Sequence, residues 1–285
     1  MVQYASDYTL AELLIAISAR EIKDGETVFA GVGQPTLAAS LAKLTHAPNA
    51  ILSMESGSVG PQPYRAILGI GDNPCIENAL MATSLWRLFA DQQRGFLDIG
   101  MVGGAQVDKY GNLNSTAIFG EGNYRKPASR LPGSGGANDI ASSAGRTVIS
   151  IPLQKRRFLE RVDYITSPGY LDGYDARSRE GLPGGGPSAI ITNKCVFKFD
   201  EVTKEAYLYS VHPNVTVEDV KNEVSWDLKV ASEVKTTEPP TVEEVRLIRM
   251  LDASKIYIGD GLKSLSFAKY MKMMEDSYDI MKQLY

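Results

Sequence analysis

The chain has 285 residues, 44% hydrophobic and 22% charged, with a formal net charge of -4. That length can bury a sizeable core as one large α/β domain or two small ones. The mild acidity and the lack of a Lys/Arg stripe argue against a nucleic-acid partner. Two cysteines without CxxC spacing (Cys75, Cys195) and two histidines (His46, His212) argue against a Cys/His metal centre and a histidine-based triad. No metal site is expected. The first nine residues lack a signal-peptide pattern, and no apolar run is long enough to cross a bilayer. The expectation is a reduced, soluble, cytoplasmic protein with no membrane association.

Leu10, Leu13, Leu14, Ala16, Ile17 and Ile22 recur at helical spacing over 10–23, with Thr9 and Glu12 placed as a capping box. Residues 27–30 read as a buried strand running into Gly31 and Gly33, with a helix following to about Leu44. Strand, glycine turn and helix make one unit of a parallel α/β sheet. The glycine pair invites a dinucleotide site, but position 36 is Thr and no acidic residue ends a second strand in register. A tight turn fits better. Residues 48–54 are the next strand, and they end abruptly at Glu55. A carboxylate at a strand's C-terminal edge sits where open α/β sheets bind ligands; alternatively, Glu55 caps the turn that follows. Residues 57–73, rich in Gly and Pro, read as a long loop covering a site.

Residues 77–91 have helical spacing, with Trp86 and the methionines read as core. A strand is expected over 96–102. Asp108–Asn112, with Gly111, has turn chemistry, and its plain reading is a hairpin tip whose side chains satisfy their own backbone. Residues 120–130 read as loop. Gly133-Ser134-Gly135-Gly136-Ala137-Asn138-Asp139 then opens a helix to about Ser143, leaving bare amides that form an anion-stabilising nest. A strained turn needing positive φ is the alternative. No Gly-Lys-Ser/Thr follows, so this is not a Walker loop. Strands are expected over 147–152 and 162–165, flanking a short basic segment at 154–161 that reads as a solvated face. Past the Gly/Pro linker at 181–187, residues 189–192, 196–199 and 206–211 resemble antiparallel strands. Short helices are expected over 216–223 and 241–251. In the tail, 262–285, Phe267, Tyr270, Met271, Met274, Tyr278, Met281 and Tyr285 recur at helical spacing, as in a helix docked on core or partner.

The Met54-Glu55-Ser56-Gly57 strand end, the 103–108 block with Gly111-Asn112-Leu113-Asn114, and the 133–139 block occur in this order. Together with Lys155-Arg156-Arg157-Phe158, Asp163-Tyr164-Ile165-Thr166-Ser167-Pro168-Gly169 and Lys198-Phe199-Asp200, they resemble the β subunit of family I CoA-transferases, most of all that of the glutaconate type. The likeness runs from about Tyr8 to Leu251; the tail departs from it. It implies an open, mostly parallel α/β sheet flanked by helices in one domain, 1–260. A small antiparallel addition lies near the C-terminus, and the helical tail is 261–285.

The resemblance further implies a heteromer. An α subunit supplies much of the CoA-binding surface, in an αβ unit paired into a larger oligomer. Coenzyme A is a cosubstrate, no cofactor is tightly bound, and acyl-CoA and a carboxylic acid are the substrates. Glu55 matches the nucleophile that becomes a glutamyl-CoA thioester. Gly135 and Gly136 match the oxyanion hole, Gln106 and Asn114 the acyl site, and Gly133, Ser134 and Ala137 the CoA contacts. A carboxylate is ionised at neutral pH without an activating base, so catalytic help must reach the electrophile instead. Two rivals remain: a CoA-thioester or ring-opening hydrolase on the same fold, and a non-catalytic chain that binds acyl-CoA.

Overall fold

The computed structural model describes residues 2–259, 263 and 265–284. α1 (Leu10–Arg20) starts in the expected capping box: Thr9 accepts the Glu12 amide while the Glu12 carboxylate accepts the Thr9 amide at 2.7 Å. It ends three residues before Lys23, where the amides of Glu21 and Ile22 tighten the last turn by bonding three residues back. β1 (Thr27–Ala30), α2 (Gln34–Leu44) and β2 (Ile51–Met54) form a strand–helix–strand unit, with β1 and β2 parallel and Val28 opposite Leu52. Past Glu55 the chain doubles back. β3 (Ser58–Val59) pairs antiparallel with β2, and β4 (Met81–Ala82) pairs antiparallel with β3 as an edge strand. α3 spans Leu85–Asp91. The helix expected over 77–91 is thus cut short, because pairing with β3 takes Met81 and Ala82 into a strand. Trp86, expected in the core, is 71% exposed.

β5 (Ile99–Val102) is fully buried and starts later than expected, leaving Phe96 exposed. β6 (Gln106–Asp108) and β7 (Leu113–Asn114) form the expected hairpin, and β8 (Ala117–Ile118) with β9 (Ser129–Arg130) forms a second one, at the ends of the segment read as loop. Then come α4 (Ala137–Ser143), β10 (Arg146–Ser150), β11 (Phe158–Leu159) and α5 (Ala176–Arg179). β12 (Pro187–Ile191), β13 (Cys195–Phe199) and β14 (Ala206–Val211) follow, then α6 (Val217–Lys221) and β15 (Lys229–Thr236). β5, β10 and β12 run parallel; β13 and β14 extend them antiparallel, as the sequence anticipates, and β15 adds a parallel strand that it did not reveal. No strand forms over 162–165. The amide of Asp163 goes to the Gln106 side chain and that of Val162 to Asp108, so side chains replace a ladder.

α7 (Val242–Leu251) rests on α1 and α2, and α8 (Phe267–Leu284) ends the fold. Arg20 grips Glu244 through two nitrogens, and Arg249 grips the buried Glu12 in the same way. The chain divides into two units, Met1–Ala90 with Pro239–Tyr285, and Asp91–Glu238. α8 belongs to the first, where Met273 is buried with Ala66 and Ile256, so the tail docks on its own chain. Leu262 and Tyr285, the tail boundary at 260–261 and the side chain of Tyr278 lie outside the described residues. The architecture is α/β, with mostly parallel central strands, helices packed beside them and a small antiparallel addition. Among the described residues no helix is long and apolar enough to cross a membrane.

Candidate active site

Parallel pairing buries β2, and Met54, its last residue, is fully enclosed. Glu55 follows directly and is half-buried. Among the described residues no hydrogen bond or ion pair engages its carboxylate, so it does not cap the turn. The turn itself is tightly made. Gly57 donates to Met54 O at 2.9 Å and accepts from the Thr83 amide at 2.8 Å. Its φ of +102° and the Thr83 carbonyl, 2.1 Å from where a Cβ would stand, leave room for glycine alone.

The loop after this turn is also fixed. Arg65 is buried and forks onto Asp72 at 2.6 and 2.7 Å. Burial pushes the Asp72 carboxyl up, but the Arg65 guanidinium and the Leu68 amide outweigh it and hold it below its usual range. Tyr257 Oη donates to Ile67 O at 2.6 Å, tying the loop to the segment before α8.

In the second unit, the residues before α4 form the glycine turn. Gly133 (φ +99°) and Gly135 (φ +54°) adopt the left-handed region with open space where side chains would be. The Ser134 hydroxyl stays local, bonded to Gly135 O and Asn138 Oδ1. The amides of Gly135 and Gly136 have no acceptor among the described residues, and Gly135 is exposed. Ala137 differs, donating to Ser134 O at 3.1 Å. α4 lies close on the sheet because Gly100 of β5 has no side chain: a Cβ there would stand 2.2 Å from Ile140 Cγ2.

Gln106 and Asn114 are brought together as a register pair of β6 and β7, but inside the protein. Asn114 Nδ2 donates to Gln106 Oε1 at 2.6 Å and to Ala117 O at 2.7 Å. Asn114 Oδ1 accepts the amides of Thr116 and Ala117. Gln106 Nε2 donates to Asp163 Oδ2 at 3.2 Å, which also accepts the Phe119 amide. The network fastens residues 115–117, and Ser115 O receives the Gly133 amide at 2.8 Å while Thr116 O receives that of Leu131. Gln106 and Asn114 therefore act on the glycine turn through backbone that they hold.

Three partners in this scaffold escape sequence reasoning. Asp163 and Thr166 stand in a block that the resemblance quotes, but their bonds to Gln106 and Ser115, about fifty residues away, have no local signal. Arg177 is buried with no carboxylate partner among the described residues and donates instead to the carbonyls of Ala141, Ser142, Pro168, Gly169 and Gly184. It satisfies the C-terminal end of α4, and burial pulls its pKa down. Asp108 and Asn112 behave as the hairpin-tip reading expects, satisfying the turn's own amides. Both histidines are structural: His212 Nε2 meets Thr192 O and His46 Nε2 meets Ile22 O. Lys155 and Arg156 are exposed, as expected of a solvated basic segment.

The comparisons with known proteins concern the chain as a whole. The chain is 40% identical over 249 residues to the β subunit of 3-oxoadipate CoA-transferase from Pseudomonas knackmussii, covering 87% of this chain and 95% of that one. It is 38% identical over 250 residues to the β subunit of glutaconate CoA-transferase from Acidaminococcus fermentans, covering 86% and 92%. The crystal structure of glutaconate coenzyme A-transferase from Acidaminococcus fermentans superposes with a TM-score of 0.81 at 36% identity, covering 90% of this chain and all of that chain. A family model described as coenzyme A transferase matches residues 12–223, and the chain belongs to that family.

Proposed function

We propose that this chain is the β subunit of a heteromeric acyl-CoA:carboxylate CoA-transferase in which Glu55 carries the transferred group. The carrying observation is the Glu55 carboxylate itself: half-buried at the end of a parallel strand, on a turn that admits only glycine at position 57, and engaged by no hydrogen bond or ion pair among the described residues. A carboxylate spent on capping or ion pairing would have to break those bonds before attacking a thioester.

One Glu55 oxygen attacks the thioester carbonyl carbon, and collapse of the tetrahedral oxyanion expels CoA thiolate, leaving a mixed anhydride. The thiolate attacks the glutamyl carbonyl and releases the first acid, giving the glutamyl-CoA thioester. An incoming carboxylate attacks that thioester, thiolate leaves again, and it takes the acyl carbon of the second anhydride. The products are a new acyl-CoA and free Glu55, with no net proton change. The amides of Gly135 and Gly136 are assigned to the oxygen that becomes negative, where one such donor is worth about 2.7–4 kcal/mol of barrier. Gln106 and Asn114 are assigned to positioning that turn, and Gly133, Ser134 and Ala137 to the CoA side of it. By their names, both relatives act on dicarboxylic acids, so a short dicarboxylate is the first acceptor to try.

The test is to incubate the heteromer with acyl-CoA and digest it. A peptide containing Glu55 should gain the mass of CoA less water, and adding acceptor acid should discharge it as acyl-CoA. CoA released at the same rate without an acceptor would make the protein a thioester hydrolase instead. No adduct and no turnover would leave a chain that only binds acyl-CoA.

A further inference from the structure

Residues 79–86 read Ala-Leu-Met-Ala-Thr-Ser-Leu-Trp, eight positions without a charge, and all but Ala79 and Thr83 are exposed. Leu80 is 78% exposed, Ile76 54%, and Leu85 and Met81 nearly half, beside the outward Trp86. A cluster of large exposed apolar side chains of this kind falls in the range of roughly a few hundred Å² where the largest patch of a monomer tends to mark an interaction site. Isolated exposed apolar residues need no explanation, but an uncharged run of this kind has the composition of an interface core.

The run is also held in place. Leu80 lies over Gly60, where an added Cβ would come within 2.7 Å of Leu80 Cδ1. β4 is the edge strand, so one side of its backbone pairs with no strand among the described residues. The Thr83 amide bonds Gly57 O, two residues beyond Glu55. That bond ties the apolar run to the turn that carries Glu55.

We propose that residues 76–86, with the free edge of β4, seat the companion α subunit, and that the same contact shields Glu55 from water. A companion chain is favoured over a second copy because these relatives are each named as one subunit of a larger enzyme, and because the run is bonded to the turn that carries Glu55.

The test is binding of the separately purified companion α subunit to the full chain, by titration and light scattering. Leu80→Asp and Trp86→Asp should each weaken binding at least about 30-fold while leaving the melting temperature of the isolated chain unchanged. Val202→Asp, a charge on another exposed apolar residue, should bind as the parent does. In the parent, amide exchange over 76–87 should slow when the companion is added. Parental affinity in both Asp variants overturns the surface, as does a homodimer of this chain that those variants abolish. Resting as it does on the heteromeric transferase reading, the surface can still fail apart from it. A CoA adduct on Glu55 in a heteromer indifferent to Leu80 and Trp86 removes the surface alone. Loss of the heteromer in both variants, with no adduct ever formed in the parent, removes the transferase and leaves the surface.

Discussion

Glu55 and Asp108 both stand at the end of a short strand before a glycine-containing turn, and the protein treats them oppositely. Asp108 is buried and surrounded by donors: the amides of Tyr110 and Asn112 on one oxygen, Asn112 Nδ2 on the other. Glu55 is half-open, and no partner engages its carboxylate among the described residues. The turns differ in the same sense. The 108–112 tip is built by its acid, whereas the 55–57 turn is built by backbone bonds and by Gly57, so its acid is left free. A carboxylate that builds structure cannot also be a leaving and attacking group at low cost. The contrast sets Glu55 apart from the acid that builds its own turn.

Exchanging the two acids for alanine should therefore give crossed results. Glu55→Ala should cut CoA transfer by more than about 10³-fold with little change in unfolding midpoint. Asp108→Ala should cost about 2–4 kcal/mol of stability, because buried amides lose their acceptor, with transfer per folded molecule largely kept. Transfer at the parental rate in Glu55→Ala would end the comparison. Gly57→Ala comes next in size. Its positive φ and the approach of the Thr83 carbonyl should cost about 3 kcal/mol and lower transfer as well, since the turn that aims Glu55 must move. A denaturant titration beside an activity assay reads both. Asn114→Ala tests the scaffold of the other turn: the amides of Thr116 and Ala117 lose an acceptor, and about 2 kcal/mol should go.

The parts of this contrast that were legible in the sequence are local ones. Glu55 could be found because an apolar run ends on it, and the Thr9/Glu12 box because its partners are three residues apart. β14 shows in its alternation, and β12 and β13 in short apolar runs bounded by turn residues. The missed parts are those in which a distant group wins. Met81 and Ala82 have helical spacing, yet β3 claims them as a strand. β15 pairs along β14 with mostly exposed side chains, so it lacks the buried alternation that announces a strand. Residues 162–165 look extended, yet Gln106 and Asp108 side chains take the amides that a ladder would use. Gln106 and Asn114 match acyl-site positions by resemblance, but nothing local reveals that one bonds the other, because pairing across a hairpin is set by register and not by composition.

The smallest expected effect lies in the pH dependence of Asp108. Burial raises its carboxyl to about 6, against the pull of the Asn112 and Tyr110 donors, from an unfolded value of 3.8. The folded chain therefore holds this proton more tightly than the unfolded chain. The stability it contributes is complete below the unfolded value and is lost as pH rises through about 6. Between pH 5 and pH 7 the loss should be about 1 kcal/mol, seen as a lower urea midpoint at the higher pH. Asp108→Asn keeps the shape and cannot ionise, so its midpoint should lack this slope even though it starts lower, its amide meeting Asn112 Nδ2 donor to donor. An identical slope in parent and Asn variant would mean that the donors win over burial and that Asp108 stays ionised throughout.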